Sequence, residues 1–85
     1  MASYKVLYWQ EVPTQVKAED DDEDVTLLMP DRFQERIDRL AAERGLCGAD
    51  DYLAQWRWSD EDERDGSAAE VAAAVRAELE ANAGF

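Results

Sequence analysis

The sequence predicts an α+β domain: a small antiparallel three-stranded meander followed by three helices packed on one face. Three observations carry that prediction. Apolar runs rich in aromatic and β-branched residues crowd the first 29 positions. Proline or acidic breaks separate those runs. From residue 30 onward the apolar residues recur at helical spacing instead. Eighty-five residues make one domain, 1–85, of the size that buries about 60–65% of its unfolded surface.

Tyr4 to Trp9 is apolar or aromatic except for Lys5, with Tyr4, Val6 and Tyr8 on one side and Leu7 and Trp9 on the other, so a strand is expected at about 4–9. Gln10 to Pro13 reads as a turn, because proline fixes its own φ and biases Val12 away from helix. A half-exposed strand follows at about 14–19, where Val16 and Ala18 alternate with Gln15, Lys17 and Glu19. The acidic run "EDDDED" is a solvated hairpin tip, and 25–29 forms the third strand.

Pro30 suits the first position of a helix at about 30–44, with Asp31 near the positive end of its dipole. Phe33, Ile37, Leu40 and Ala41 make its apolar stripe, and Gly45 supplies the left-handed stop. A second helix is expected at about 49–58, started by Asp50 and Asp51, with Tyr52, Leu53 and Trp56 on one side. Residues 59–66 form an acidic linker. Ser67 and Glu70 then make a capping box for a helix at about 67–82, with Val71, Val75 and Leu79 on one face and Gly84 past its end.

Composition narrows function. The net charge is −12, a field that repels phosphate backbones and anionic lipid, so nucleic-acid and membrane partners are disfavoured. No apolar run reaches membrane-spanning length or resembles a signal-peptide core, and the chain reads as cytoplasmic. There is no histidine, which removes Ser-His and Cys-His nucleophile pairs, imidazole metal ligands and the commonest general base. Phosphate-cradling glycine loops are absent as well. Cys47 stands alone and reads as a small buried apolar residue. The expectation is therefore not an enzyme, with no cofactor. Asp20, Asp22 and Asp24 are weak metal-site candidates, since "EDDDED" lacks the glycine and terminal glutamate of a calcium loop.

Charge is unevenly spread. Residues 31–44 carry four acids against Arg32, Arg36, Arg39 and Arg44, leaving the whole −12 to the rest of the chain. Glu35–Arg39 and Arg39–Glu43 have the spacing of helix-stabilising ion pairs. The arginines also form a basic island suited to an acidic partner. Trp56 is expected in the core, whereas Trp58, beside Arg57, has the makings of an interface anchor.

The stretches "YWQEVPTQV", "MPDRFQERID" and "RGLCGADDYLAQW" resemble the small bacterial virulence factor domain family. The matching positions are Tyr8, Trp9, Val12, Pro13, Gln15 and Val16; then Pro30, Arg32, Phe33, Ile37 and Asp38; then Gly45, Leu46, Asp50, Tyr52, Leu53 and Trp56. They span roughly Tyr4 to Trp58. The resemblance implies no catalytic residue, and it implies association with one-carbon, folate-linked or corrinoid methyl transfer.

Together these readings point to a non-catalytic protein-interaction or accessory module, monomeric or homodimeric, whose partner is another protein. Its expected surface joins Trp9, Pro13, Arg32, Arg36, Arg57 and Trp58, with Val6, Leu7 and Tyr8 in the core and Trp9 and Pro13 at the rim. The alternatives are a small-molecule or metal-binding domain and an acidic regulator of a basic protein.

Overall fold

In the computed structural model, which describes residues 1–83, an antiparallel sheet is built around its first strand. The elements are β1 (Ala2–Trp9), β2 (Val12–Glu19), β3 (Asp24–Leu28), α1 (Asp31–Glu43), α2 (Ala49–Leu53), β4 (Trp56–Trp58), β5 (Asp62–Arg64) and α3 (Ala68–Asn82). The α+β class and antiparallel pairing are as the sequence predicts. The sheet, however, has five strands rather than three, ordered β3-β2-β1-β4, with β5 also on β1.

The extra strands answer the hydrogen-bonding demand of β1. Its second edge would otherwise leave buried backbone groups unpaired. β4 takes Leu7 to Trp9 and β5 takes Ala2 to Tyr4. Ser59 bridges the gap: its N–H donates to the Val6 carbonyl at 2.8 Å and its Oγ accepts from the Val6 N–H at 2.9 Å. The helix expected over 49–58 therefore stops at Leu53, and the residues 59–66 are no mere linker.

Strands β1 and β2 are also longer than expected, meeting at the two-residue turn Gln10-Glu11. Pro13 lies inside β2. It is tolerated there because it falls next to a bulge, where Thr14 is the extra residue between the pairs Leu7↔Gln15 and Tyr8↔Pro13. The Thr14 hydroxyl closes the bulge by donating to the Leu7 carbonyl at 2.8 Å.

The bulge keeps both faces of the sheet coherent. On one face Ala2, Val6, Val16 and Ala18 pack with Ala68, Val71, Ala72 and Val75 of α3. At one end of the other, Trp9 and Val12 pack with Met29 and with Phe33, Ile37, Leu40 and Ala41 of α1. The helices thus do not share one face, because the sheet has an apolar surface on each side to cover. α1 ends where expected: Gly45 has φ +69°, and the Leu46 N–H reaches the Ala41 carbonyl at 2.8 Å. Ser67 and Glu70 form the expected capping box on α3, while Gly84 lies outside the described residues. Among the described residues no helix is long and apolar enough to cross a membrane.

Candidate functional site: the open sheet face

α1 covers only the Trp9–Val12 end of its side of the sheet, and the rest of that face carries no helix. Register arranges it in rows, because directly paired residues share a face. Nearest α1 is an apolar row of Leu28, Leu7 and Trp58, with Gln15 between the two leucines. Two residues further along each strand lie Lys17 and Lys5, directly opposite one another. Beyond them come Asp24, Glu19 and Glu63. Leu28 is 67% exposed and Trp58 42% exposed. The Lys5 ammonium sits 4.6 Å from the centre of the Trp58 ring, a cation–π contact. Between the apolar row and α1 runs a groove of about 350 Å³, lined by Leu7, Leu28, Phe33, Gln34 and Trp56 among others.

The two tryptophans of β4 share this side of the sheet. In a strand, residues two apart point the same way, as they would not in a continuing helix. Trp56 is opposite Trp9 and edge-on to Tyr52, with ring centroids 6.0 Å apart. Arg57 points to the other side, its guanidinium 5.4 Å from the Tyr8 ring centre and donating to the Gln10 carbonyl at 3.4 Å.

Trp9 is not a rim residue. It is fully enclosed at 0% exposure, its Nε1–H donates to the Tyr52 carbonyl at 3.0 Å, and its ring lies 5.4 Å from that of Tyr52. Pro13 is buried too. Trp9 lies on the Leu7 face of β1 at the end that α1 covers, and the bulge at Thr14 shifts β2 so that Val12 joins it while Pro13 turns to the opposite side. Arg36 lines a second groove with Tyr8, Glu11 and Leu79, and Arg32 approaches Glu80 of α3 at 3.8 Å. The six expected contact residues therefore divide between core, both sheet faces and α1, and only Trp58 belongs to the open face.

Several other expectations change. Cys47 is exposed, in the connection after α1, rather than buried. Arg39 reaches neither Glu35 nor Glu43. Instead, Arg44 makes a two-pronged ion pair with Glu11 at 2.7 and 3.0 Å, tying the end of α1 to the β1–β2 turn and holding the Glu11 carboxyl below its usual range. The acidic tip is structural. Asp20 Oδ1 accepts from the N–H groups of Asp22 and Glu23, and its Oδ2 accepts from the Ala68 N–H at 2.7 Å. Those donors, Ala68 first, lower its pKa. Asp20, Asp22 and Asp24 do not converge: among the described residues no group of three potential ligands could hold a metal ion.

The residues that define the open face, Lys5, Leu7, Lys17 and Leu28, were not among the expected contacts. Their signal was the period-two alternation of β1 and β2, which already set Leu7 beside Trp9 and Lys17 beside Gln15. What it lacked was the knowledge of which face the helices leave uncovered.

Comparison with curated proteins and with solved structures gave no match. The family model described as virulence factor matches residues 7–83, from the apolar row of β1 through α3, so the chain belongs to the virulence factor family.

Proposed function

We propose that this domain is a non-catalytic protein-interaction module, an accessory to a one-carbon or corrinoid methyl-transfer system, working in the cytoplasm. The observation that carries the reading is Trp58. A large aromatic residue on a sheet strand, 42% exposed and directly opposite Leu7, is the kind of group that anchors protein interfaces. The lack of histidine supports a non-catalytic role, since the residue most used for proton transfer is missing from the chain.

The test is capture from native lysate on the tagged chain and on Trp58→Ser, read by mass spectrometry. A methyl-transfer protein retained by the first and lost from the second is expected. Retention of the same set by both, or substrate turnover by the purified chain alone, overturns the reading.

The groove beside α1 favours a second reading, a small-molecule site. Its volume of about 350 Å³ falls at the lower end of ligand pockets, and its lining is largely apolar. Calorimetric heat with folate-type compounds, abolished by Leu7→Asp, supports it; no heat removes it.

A further inference from the structure

The only two lysines of a chain with 21 acidic residues stand directly opposite each other on the uncovered part of the sheet. Like charges in that position repel, their side chains starting about 5 Å apart. Neither lysine forms an ion pair among the described residues, although Glu19 and Glu61 border the same depression. Lys5 leans on Trp58 instead. The fold thus holds two adjacent cations with no carboxylate in direct ion-pair contact, one step from an apolar row and one step from an acidic one.

We infer that this face receives an extended segment of another protein whose side chains run apolar, acidic, basic along one edge, the carboxylate lying between Lys5 and Lys17. The inference rests on the interaction-module reading above and names the chemistry of its partner. Alternate residues of an extended segment are about 7 Å apart, which matches the spacing of the rows. The apolar side chain packs on Leu7 beside Trp58 and enters the groove beside α1, which Leu28 also lines. The acid neutralises the lysine pair, and the basic group meets Glu19 and Glu63. That last contact also offsets the repulsion that the acidic body exerts on an acid-bearing partner. A second copy of this chain is a poorer fit. With the apolar rows matched, its lysines fall either on these lysines or on the end of the sheet that α1 covers.

The test is selection of a displayed random-peptide library on the full chain, followed by amide chemical-shift mapping of the enriched peptides. Expected are peptides with an acid two positions from a large apolar residue, shifting Lys5, Leu7, Lys17 and Leu28. Their affinity should fall about tenfold in Lys17→Glu, with a smaller fall in the milder Lys17→Gln. Replacing the peptide's acid by lysine should restore binding to Lys5→Glu/Lys17→Glu. Circular dichroism verifies that the variants fold. Enriched peptides without an acid, shifts confined to other surfaces, or affinity unchanged in Lys17→Glu overturn this inference while leaving an interaction module in place. Enrichment of no peptide defeats both. A dimer in sedimentation that Trp58→Ser dissociates assigns the face to a second copy and also overturns the inference.

Discussion

Trp9 shows how one side chain can be decisive in a domain this small. At roughly 0.05–0.15 kcal/mol per residue, the stability of 85 residues amounts to about 4–13 kcal/mol. Truncating an enclosed tryptophan to alanine costs about 3–5 kcal/mol, and here it also leaves the Tyr52 carbonyl with the Gln55 N–H as its remaining donor. Trp9→Ala is therefore expected to lose a large share of the stability, read as a lowered midpoint in thermal or urea melts, so a partner it loses does not by itself report on the surface. Ser59→Ala should cost about 1–3 kcal/mol, because the hydroxyl is the acceptor for the Val6 N–H inside the sheet; the urea midpoint measures it. Asp20 gives a pH signature. Its carboxyl is held below the usual value of about 4 by N–H donors, so its contribution is fully present above that pH and is lost as pH falls through its lowered folded value. Asp20→Asn turns one accepting oxygen into a donor. Its melting temperature should lie below that of the parent chain at neutral pH, and the gap should narrow in acid.

Among the elements, β4 and β5 depart furthest from the pattern of the sequence. "WRW" sits within reach of a helix, and "DER" has little strand propensity. Both become strands because β1 has a second edge to satisfy, a demand made by residues more than 45 positions away. α3 is the opposite case. Its start is written locally in Ser67 and Glu70, whose reciprocal bonds of 3.2 Å each form as the spacing requires. Ser67→Ala should lower stability by about 1 kcal/mol, measurable by chemical denaturation. Yet even this terminus has a non-local partner, since the acidic tip between β2 and β3 supplies Asp20 to Ala68. Reading "EDDDED" as solvated charge captured most of that run and missed the one residue that staples sheet to helix.

For the molecule as a whole the excess of negative charge is the main electrostatic fact. Among the described residues the ion pairs Arg32–Glu80, Arg44–Glu11 and Arg64–Glu78 tie helices to strands, turn and one another, all between partly exposed groups whose attraction solvent screens strongly. Against them stands the mutual repulsion of 21 acids facing nine bases. Screening weakens both, and repulsion is the larger sum. The melting temperature should therefore rise as salt is raised from low ionic strength toward about 0.15 M. A fall over that range would mean that the ion pairs outweigh the repulsion.

The sequence by itself determined the α+β class, the break at Pro30, the stripe and glycine stop of α1 and the capped start of α3, because each depends on side-chain period or on chemistry within a few residues. Its alternation also sorted the residues of β1 into two sets. Only the tertiary structure decided what those sets do. A bulge at Thr14 turns Val12 to the side of Trp9, α1 closes over both, backbone pairing on β1 recruits β4 and β5, and the position of α1 leaves Lys5, Lys17 and Trp58 uncovered. Those outcomes depend on which surfaces meet, and no local pattern carries that information.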